Sequence, residues 1–315
     1  MTHPVFASLL PVILIIGMGF AAGRLRWVGQ AAVKDLSNLV FLLFTPALLF
    51  RTMHKVHPEQ LDFTPVAAYF IGVGLLFAAT LLVCGFNRRA AVLALAGTFS
   101  NTVMIGIPVV GLAFGDPGLV VLFTLYTVHT VLLLTSATVV LELAVAHEAA
   151  ADGSAPRQPM WRTVLAALRN AVLHPVPLPI VAGLLFAQTG LVLPDVIDKP
   201  LQMMGQAMGP MALLLVGLTL AYTPLAQHAR GAVLLAGVKN LLLPALVALA
   251  GCLLGLRGVP LAVIVVTSAL PVGANVFMFS QRYRVAEDLV TASVAVSTVL
   301  ALATVPLVLW LVQLM

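Results

Sequence analysis

Ten long and mostly apolar runs account for nearly all of the 315 residues. A helix that crosses a bilayer needs roughly 20 predominantly apolar residues, and each run comes close to that length. The chain is 61% hydrophobic and only 9% charged, whereas charged residues make up about a quarter of a soluble domain. The sequence therefore predicts an all-α polytopic membrane protein whose ten spans lie at about residues 4–23, 36–53, 63–86, 91–114, 118–143, 163–189, 200–222, 229–255, 259–281 and 286–314.

The longest polar interruption, residues 147–162, divides these spans into five and five. It is rich in Ala, Gly, Pro and charge, which is typical of a flexible linker. Because each half contains an odd number of spans, the second half must enter the membrane in the opposite sense to the first. We therefore expect two inverted five-helix repeats, residues 1–146 and 163–315, joined by this linker.

The basic residues are distributed unevenly between the two sides of the membrane. Cytoplasmic loops carry an excess of Lys and Arg, and the loops after odd-numbered spans hold 11 of the 16 basic residues, against four in the loops after even-numbered spans. This pattern predicts a cytoplasmic linker and both termini outside. Since the basic residues flank the membrane, the net charge of +5 gives no indication of a nucleic-acid partner.

Spans 4 and 9 both carry glycine, proline and polar residues inside apolar sequence. Span 4 reads SNTVMIGIPVV from Ser100, and span 9 reads TSALPVGANVFMF from Thr267. Proline removes a main-chain donor and clashes with the preceding turn, so we expect span 4 to bend or unwind near Ile107 and Pro108. A kink that serves packing alone is the alternative, but interrupted segments at matching positions of two halves indicate the binding site of a transporter.

If spans 4 and 9 cross, four half-helix ends meet at one point. The amino-terminal ends carry free main-chain N–H groups, which attract an anion. The residues predicted to form this crossing and bind substrate are Asn101, Thr102, Gly106, Pro108, Ser268, Pro271, Gly273 and Asn275.

Lys239 lies about ten residues into span 8, where an ionisable group is costly. Three interpretations stay open: a counter-charge for a substrate carboxylate, an internal cation in place of a bound sodium ion, or a side chain that snorkels to the cytoplasmic face.

Four further polar residues lie within the spans. His129 in span 5 is a candidate for substrate contact or proton relay, with a hydrogen-bonded core histidine as the alternative. Asn38 in span 2 and Gln202 and Gln206 in span 7 are candidate cavity amides, with plain interhelical hydrogen bonding as the alternative.

The motifs of common enzymes are missing from the sequence, which contains no HExxH, Walker A or nucleophile-elbow pattern. The acidic residues fall in loops or near helix ends, so no catalytic residue, metal site or cofactor is predicted. Cys84 and Cys252 lie within apolar spans, and we expect them to be small core residues.

The segments SNTVMIGIPVV and ALPVGANVFMFSQRY resemble the crossing-helix signatures of the auxin efflux carrier family, which includes plant auxin carriers and bacterial permeases assigned to malonate or malate. The resemblance covers the whole chain. It implies a scaffold domain of spans 1, 2, 6 and 7 and a transport domain of spans 3–5 and 8–10 that moves like an elevator. Span 3 lacks the charged groups of the plant carriers, which favours the bacterial branch.

The sequence together with this resemblance predicts a secondary transporter for a small organic anion in the bacterial inner membrane, with a homodimer as a possible assembly. The alternatives are an exporter of an auxin-like aromatic carboxylate, and a channel or ligand-sensing membrane protein.

Overall fold

The computed structural model of the chain describes residues 4–56, 61–151, 177–223 and 229–312 with Trp161, Leu165 and Arg169. The regular secondary structure of these residues is helical, joined by short turns and loops, and one isolated antiparallel bridge links Ser100 and Val272. The helices are α1 Pro4–Arg24, α2 Gln30–Leu39, α3 Thr45–Met53, α4 Thr64–Cys84, α5 Arg88–Thr98, α6 Ile107–Ala151, α7 Pro177–Gln188, α8 Asp195–Tyr222, α9 Ala229–Gly237, α10 Leu243–Leu253, α11 Gly258–Ala269, α12 Asn275–Tyr283 and α13 Glu287–Val312.

Within the described residues, six helical segments are long and apolar enough to cross a membrane. The prediction of an all-helical protein with several spans is therefore confirmed at that level. Spans 4 and 9 are each split between two helices, α5 with the start of α6, and α11 with α12. Helix α6 continues from span 4 into span 5 through a break at Gly115, whose φ of 60° is left-handed. In span 6, residues 163–176 lie outside the described residues except for Leu165 and Arg169.

Three π turns precede three prolines at the same spacing. They are Val40–Phe44 before Pro46, Thr102–Gly106 before Pro108 and Val238–Leu242 before Pro244. Proline lacks the N–H that an α-helix needs, and its ring clashes with the carbonyl four residues back. A wider turn with i to i+5 bonding moves that carbonyl away, so the helix continues without a break.

This geometry corrects the predicted position of the break in span 4. Pro108 lies at the second residue of α6, and the chain around it is helical. The unwound residues are Phe99–Asn101, seven to nine positions earlier. The π turn relieves the proline clash locally, and the break forms where the chain meets span 9 instead.

The helix that contains span 5 continues beyond residue 143, where the apolar run was predicted to end. Helix α6 reaches Ala151, so the first five residues of the expected linker are helical, while residues 152–160 and 162 lie outside the described residues. Glu148 accepts hydrogen bonds from the main-chain N–H of Arg88 at 2.9 Å and from its Nε at 2.5 Å. One turn and a half earlier, Glu142 accepts from the Tyr283 hydroxyl at 2.8 Å. These contacts fix α6 to α5 and α12.

Two apolar clusters form the core. The first joins α1, α4–α6, α8 and α10–α13, and the second joins α3, α6, α7, α8 and one residue of α11. Cys84 and Cys252 belong to neither, because both are exposed, so the expectation that they are core residues is wrong. They lie near the ends of α4 and α10, where the helix surface faces outwards.

Candidate functional site

The unwound parts of spans 4 and 9 lie side by side and pair through their main chains. The N–H of Asn101 donates to the carbonyl of Pro271 at 2.8 Å, and the N–H of Gly273 donates to the carbonyl of Phe99 at 2.9 Å. These two bonds flank the bridge between Ser100 and Val272. Buried main-chain groups that leave a helix need new partners in a membrane, and here each broken helix supplies them to the other.

Gly273 permits this close approach. A β carbon placed on it would lie 2.6 Å from Cδ1 of Phe99 and 3.0 Å from the carbonyl oxygen of Ser100, so a larger residue would push the two segments apart. Gly106 faces the other segment in a similar way, because its β carbon would lie 2.7 Å from a methyl group of Leu270.

Lys239 is fully buried, with 0% of its surface exposed. Its Nζ donates to the carbonyl of Ser268 at 2.6 Å and to that of Leu270 at 2.7 Å. These carbonyls belong to the carboxyl-terminal end of α11, where the helix dipole is negative. The ammonium group thus satisfies carbonyls that the break in span 9 sets free, and the snorkelling interpretation is wrong.

Asn240 and Ser297 hold the same region from the other side. The side-chain amide of Asn240 donates to the carbonyl of Ser297 at 2.9 Å. The hydroxyl of Ser297 in turn accepts the N–H of Val272 at 3.0 Å. Lys239 and Asn240 both lie in a π turn, a feature that occurs frequently at functional sites.

A cavity of about 230 Å³ lies against the crossing. The crossing contributes Phe99–Met104 and Gly273–Asn275, and the remaining wall comes from α2, α6, α8 and α13. Both half-helix amino termini, at Thr102 and Asn275, therefore face this cavity. None of the described side chains that line it is charged; the polar ones are Ser37, Ser100, Asn101, Thr102, Tyr126, Thr219, Thr223, Asn275 and Thr298.

The predicted site residues are distributed around this cavity as follows. Asn101, Thr102, Gly273 and Asn275 line it. Ser268 and Pro271 are buried behind it in the crossing, where Ser268 also donates from its hydroxyl to the carbonyl of Val265 at 2.6 Å.

Pro108 and Gln206 line a second cavity of about 330 Å³ between α1, α3, α6 and α8. Gln202 lines neither cavity and is half-buried. Asn38 is exposed, and the structure places its neighbour Ser37 in the cavity wall instead. The structure therefore does not bring these three amides to the crossing.

His129 lies behind the cavity wall among aromatic rings. Its ring centroid is 4.9 Å from that of Phe99, 5.5 Å from Tyr69 and 5.9 Å from Tyr126. It is 1% exposed, and neither ring nitrogen has a hydrogen-bond partner among the described residues. The expectation of a hydrogen-bonded core histidine is therefore wrong, and Phe99 and Tyr126 separate the imidazole from the cavity.

Sequence reasoning missed Tyr69, Tyr126, Asn240 and Ser297. Tyr69 approaches the crossing from α4, with its hydroxyl 3.5 Å from that of Ser100. Asn240 could have been found, because an amide beside Lys239 at the same depth is also costly unless it is hydrogen-bonded. The tyrosines and Ser297 gave no such signal, since such residues are common in membrane helices.

A family model described as "Membrane transport protein" matches residues 4–309, which is almost the whole chain. The chain belongs to this family. One member, the "Putative malonate transporter" of Rhizobium meliloti, is 28% identical over 96% of this chain and 94% of its own length. An "Uncharacterized transporter" of Methanothermobacter thermautotrophicus is 24% identical over 95% of this chain and 96% of its own.

The resemblance to the auxin efflux carriers is also confirmed. "Auxin efflux carrier component 1" of Arabidopsis thaliana is 29% identical over 145 residues, which are 45% of this chain and 23% of the plant protein. The membrane transport family therefore joins this chain to bacterial and archaeal transporters over its full length and to plant carriers over part of it.

Proposed function

We propose that this membrane transport protein is a secondary transporter that carries a small organic anion, with a short carboxylate of the malonate or malate type as substrate. The observation that carries the proposal is the cavity at the crossing, where two half-helix amino termini and the amides of Asn101 and Asn275 converge. Free N–H groups at a helix amino terminus bind carboxylates well. The name of the Rhizobium meliloti relative supports malonate as the first substrate to test.

The proposed movement is an elevator in which α4–α6 and α9–α13 move as one transport domain past a scaffold of α1–α3, α7 and α8. Its support is the placement of the polar contacts. Arg51 binds Asp198 through Nε at 2.7 Å, and the Tyr222 hydroxyl donates to the carbonyl of Val28, both within the scaffold group.

The transport group holds the remaining long-range contacts. Among side-chain hydrogen bonds between distant described residues, those of Tyr69, Arg88, Lys239, Asn240, Tyr283 and Ser297 all stay within it. Away from the cavity, the surface between the groups is apolar, formed by residues such as Val110 and Phe123 against Met208 and Leu215. Such a surface can slide without leaving buried donors unpaired.

Transport itself is tested by uptake of radiolabelled malonate into proteoliposomes. We expect saturable uptake and acceleration by unlabelled malonate on the opposite side, which a channel would not show. Flux that never saturates would overturn the carrier proposal, and binding without flux would indicate a sensor.

Movement is tested by a cross-link between the groups. The β carbon of Pro108 lies 3.9 Å from the position of a β carbon on Gly209, so Pro108→Cys and Gly209→Cys can form a disulfide after Cys84 and Cys252 are replaced by Ala. We expect oxidation to stop uptake and reduction to restore it. Each single variant is the control, and full uptake by the cross-linked protein would overturn the elevator.

The sidedness is also a proposal. The distribution of basic residues supports both termini outside the bacterial inner membrane, and a carboxyl-terminal reporter that is active only outside the cytoplasm should be active here. The inverted repeat and a homodimer remain predictions, and the mass of the protein in a native-like bilayer particle tests the dimer.

A further inference from the structure

The wall of the cavity at the crossing is mostly apolar, carries several polar groups and has no charged side chain among the described residues. Amides and hydroxyl groups line it, and no Lys, Arg, Asp or Glu among the described residues reaches its wall. Lys34 lies one helical turn before the lining residue Ser37, but its side chain is exposed. The exposed charge of Lys34 can therefore attract an anion towards the cavity. Within the cavity, no side-chain cation of the described residues can pair with that anion.

Behind the crossing, the described residues include one buried ammonium group and no buried carboxylate. Lys239 is the cation, and it is held by the carbonyls of Ser268 and Leu270. The other titratable groups that face the crossing are Tyr69, Tyr126 and His129. All three are buried without a counter-ion among the described residues, so a charge on any of them would be costly. Because the charge of Lys239 is already paired with the carbonyls of Ser268 and Leu270, the positive charge left for a ligand is the partial charge of the two helix amino termini.

This arrangement can balance one negative charge. An ion that is taken out of water loses its hydration, and opposite charge or hydrogen bonds must offset that loss of free energy. A helix amino terminus offers roughly half a unit of positive charge, so the two termini suit one carboxylate. A second carboxylate in the same cavity would meet only hydroxyl groups of Ser37, Thr219, Thr223 and Thr298.

We propose that the cavity takes its substrate as a monoanion, so that a short dicarboxylic acid binds with one carboxylate ionised and the other carboxyl group protonated. The ionised group lies at the helix amino termini. The protonated group donates its O–H to a hydroxyl oxygen of the threonine and serine wall, and the substrate itself carries the proton. This inference rests on the proposed function, since it concerns the charge state of the same substrate.

The experiment compares two ligands on the purified full-length protein by isothermal titration calorimetry at increasing pH. Malonate loses its second proton in this range, whereas monomethyl malonate keeps a single negative charge throughout. Above the second pKa of malonic acid, we expect the apparent Kd of malonate to rise about tenfold per pH unit, because only the monoanion binds. The Kd of the monoester should stay constant.

Each other outcome has a definite meaning. Constant affinity for malonate at high pH would overturn the monoanion proposal while leaving the proposed function in place. Failure of both ligands to bind at any pH would overturn the proposed function, in which malonate-type acids are the substrates. A parallel loss of affinity for both ligands would show that the protein titrates instead and would also overturn the proposal.

A variant distinguishes titration of the substrate from titration of His129, which lies behind the cavity wall. His129→Phe removes the imidazole and keeps an aromatic ring in the cluster with Phe99 and Tyr126. We expect this variant to keep the tenfold dependence for malonate. Loss of that dependence in a folded variant would assign the proton to His129 and overturn the proposal.

Discussion

Gly273 and Phe99 meet so closely that their segments share a main-chain hydrogen bond of 2.9 Å and leave no room for a β carbon between them. This contact sets the distance between the two broken spans. It also brings both half-helix amino termini to one cavity, because Asn101 and Asn275 each lie two residues beyond the bonded pair.

Gly273→Ala should separate the broken spans. We expect the variant to lose about 1–3 kcal/mol of stability through overpacking and to lose malonate uptake. Gly74→Ala is the matched control, because no atom lies within 4 Å of its added β carbon, and it should be neutral or slightly more stable. Thermal unfolding and uptake on both variants test this, and an active Gly273→Ala protein would contradict it.

Lys239→Met should remove the cation that holds the end of α11. The carbonyls of Ser268 and Leu270 would lose their partner, at a cost of about 1–3 kcal/mol for each unpaired group. We expect uptake to be lost while much of the substrate affinity remains, since Lys239 does not line the cavity. Lys239→Arg should recover part of the stability. A fully active Met variant would show that the ammonium is dispensable.

Sodium should not be required for uptake. The carbonyl oxygens that a sodium ion could use at the break in span 9 already accept hydrogen bonds from Lys239, and hard cations need several oxygen ligands. Replacement of sodium by choline should therefore leave the initial rate largely unchanged. A rate that falls to background in choline would contradict this expectation.

Asn101→Asp should weaken anion binding. The substitution keeps the shape of the side chain and places a negative charge in the cavity wall. A like charge at this distance should raise the Kd for malonate by about tenfold or more. Asn38→Asp is the matched control, because Asn38 is exposed and lies outside the cavity. Equal affinities for the two variants would exclude Asn101 from the binding site.

His129→Phe should leave the protein folded and active. Neither imidazole nitrogen has a hydrogen-bond partner among the described residues, so the substitution loses no polar contact and keeps the aromatic packing. We expect an unchanged or higher unfolding temperature and near-normal uptake. Loss of uptake at an unchanged unfolding temperature would give His129 a direct part in transport.

Several membrane-spanning helices could be predicted from the sequence because their length and composition reflect the thickness of the bilayer, and six segments of the described residues meet that requirement. The broken span 9 could also be found, because Pro271, Gly273 and Asn275 interrupt an otherwise apolar run. Lys239 stood out because an ammonium group deep in a span is too costly to face lipid. Inside the protein, the carbonyls of Ser268 and Leu270 offset that cost. These features depend on local sequence alone.

The rotation of each helix could not be predicted in this way. Ser37 and Asn38 differ by one position, about 100° around the helix, and only Ser37 lines the cavity. Hydropathy does not distinguish the lipid-facing side of such a helix from the packed side, since both are apolar. The break in span 4 was misplaced because proline at position 108 is accommodated by the π turn before it.

That π turn amounts to one extra residue inserted into an α-helix. It sets the angular register between Pro108 and Asn101, so deletion of a single residue from 102–106 would turn everything before it by about 100° relative to α6. Span 4 could still cross the membrane after such a deletion, but Asn101 would point away from the cavity. A one-codon change would thus alter which side chains meet the anion without altering the hydropathy of the span.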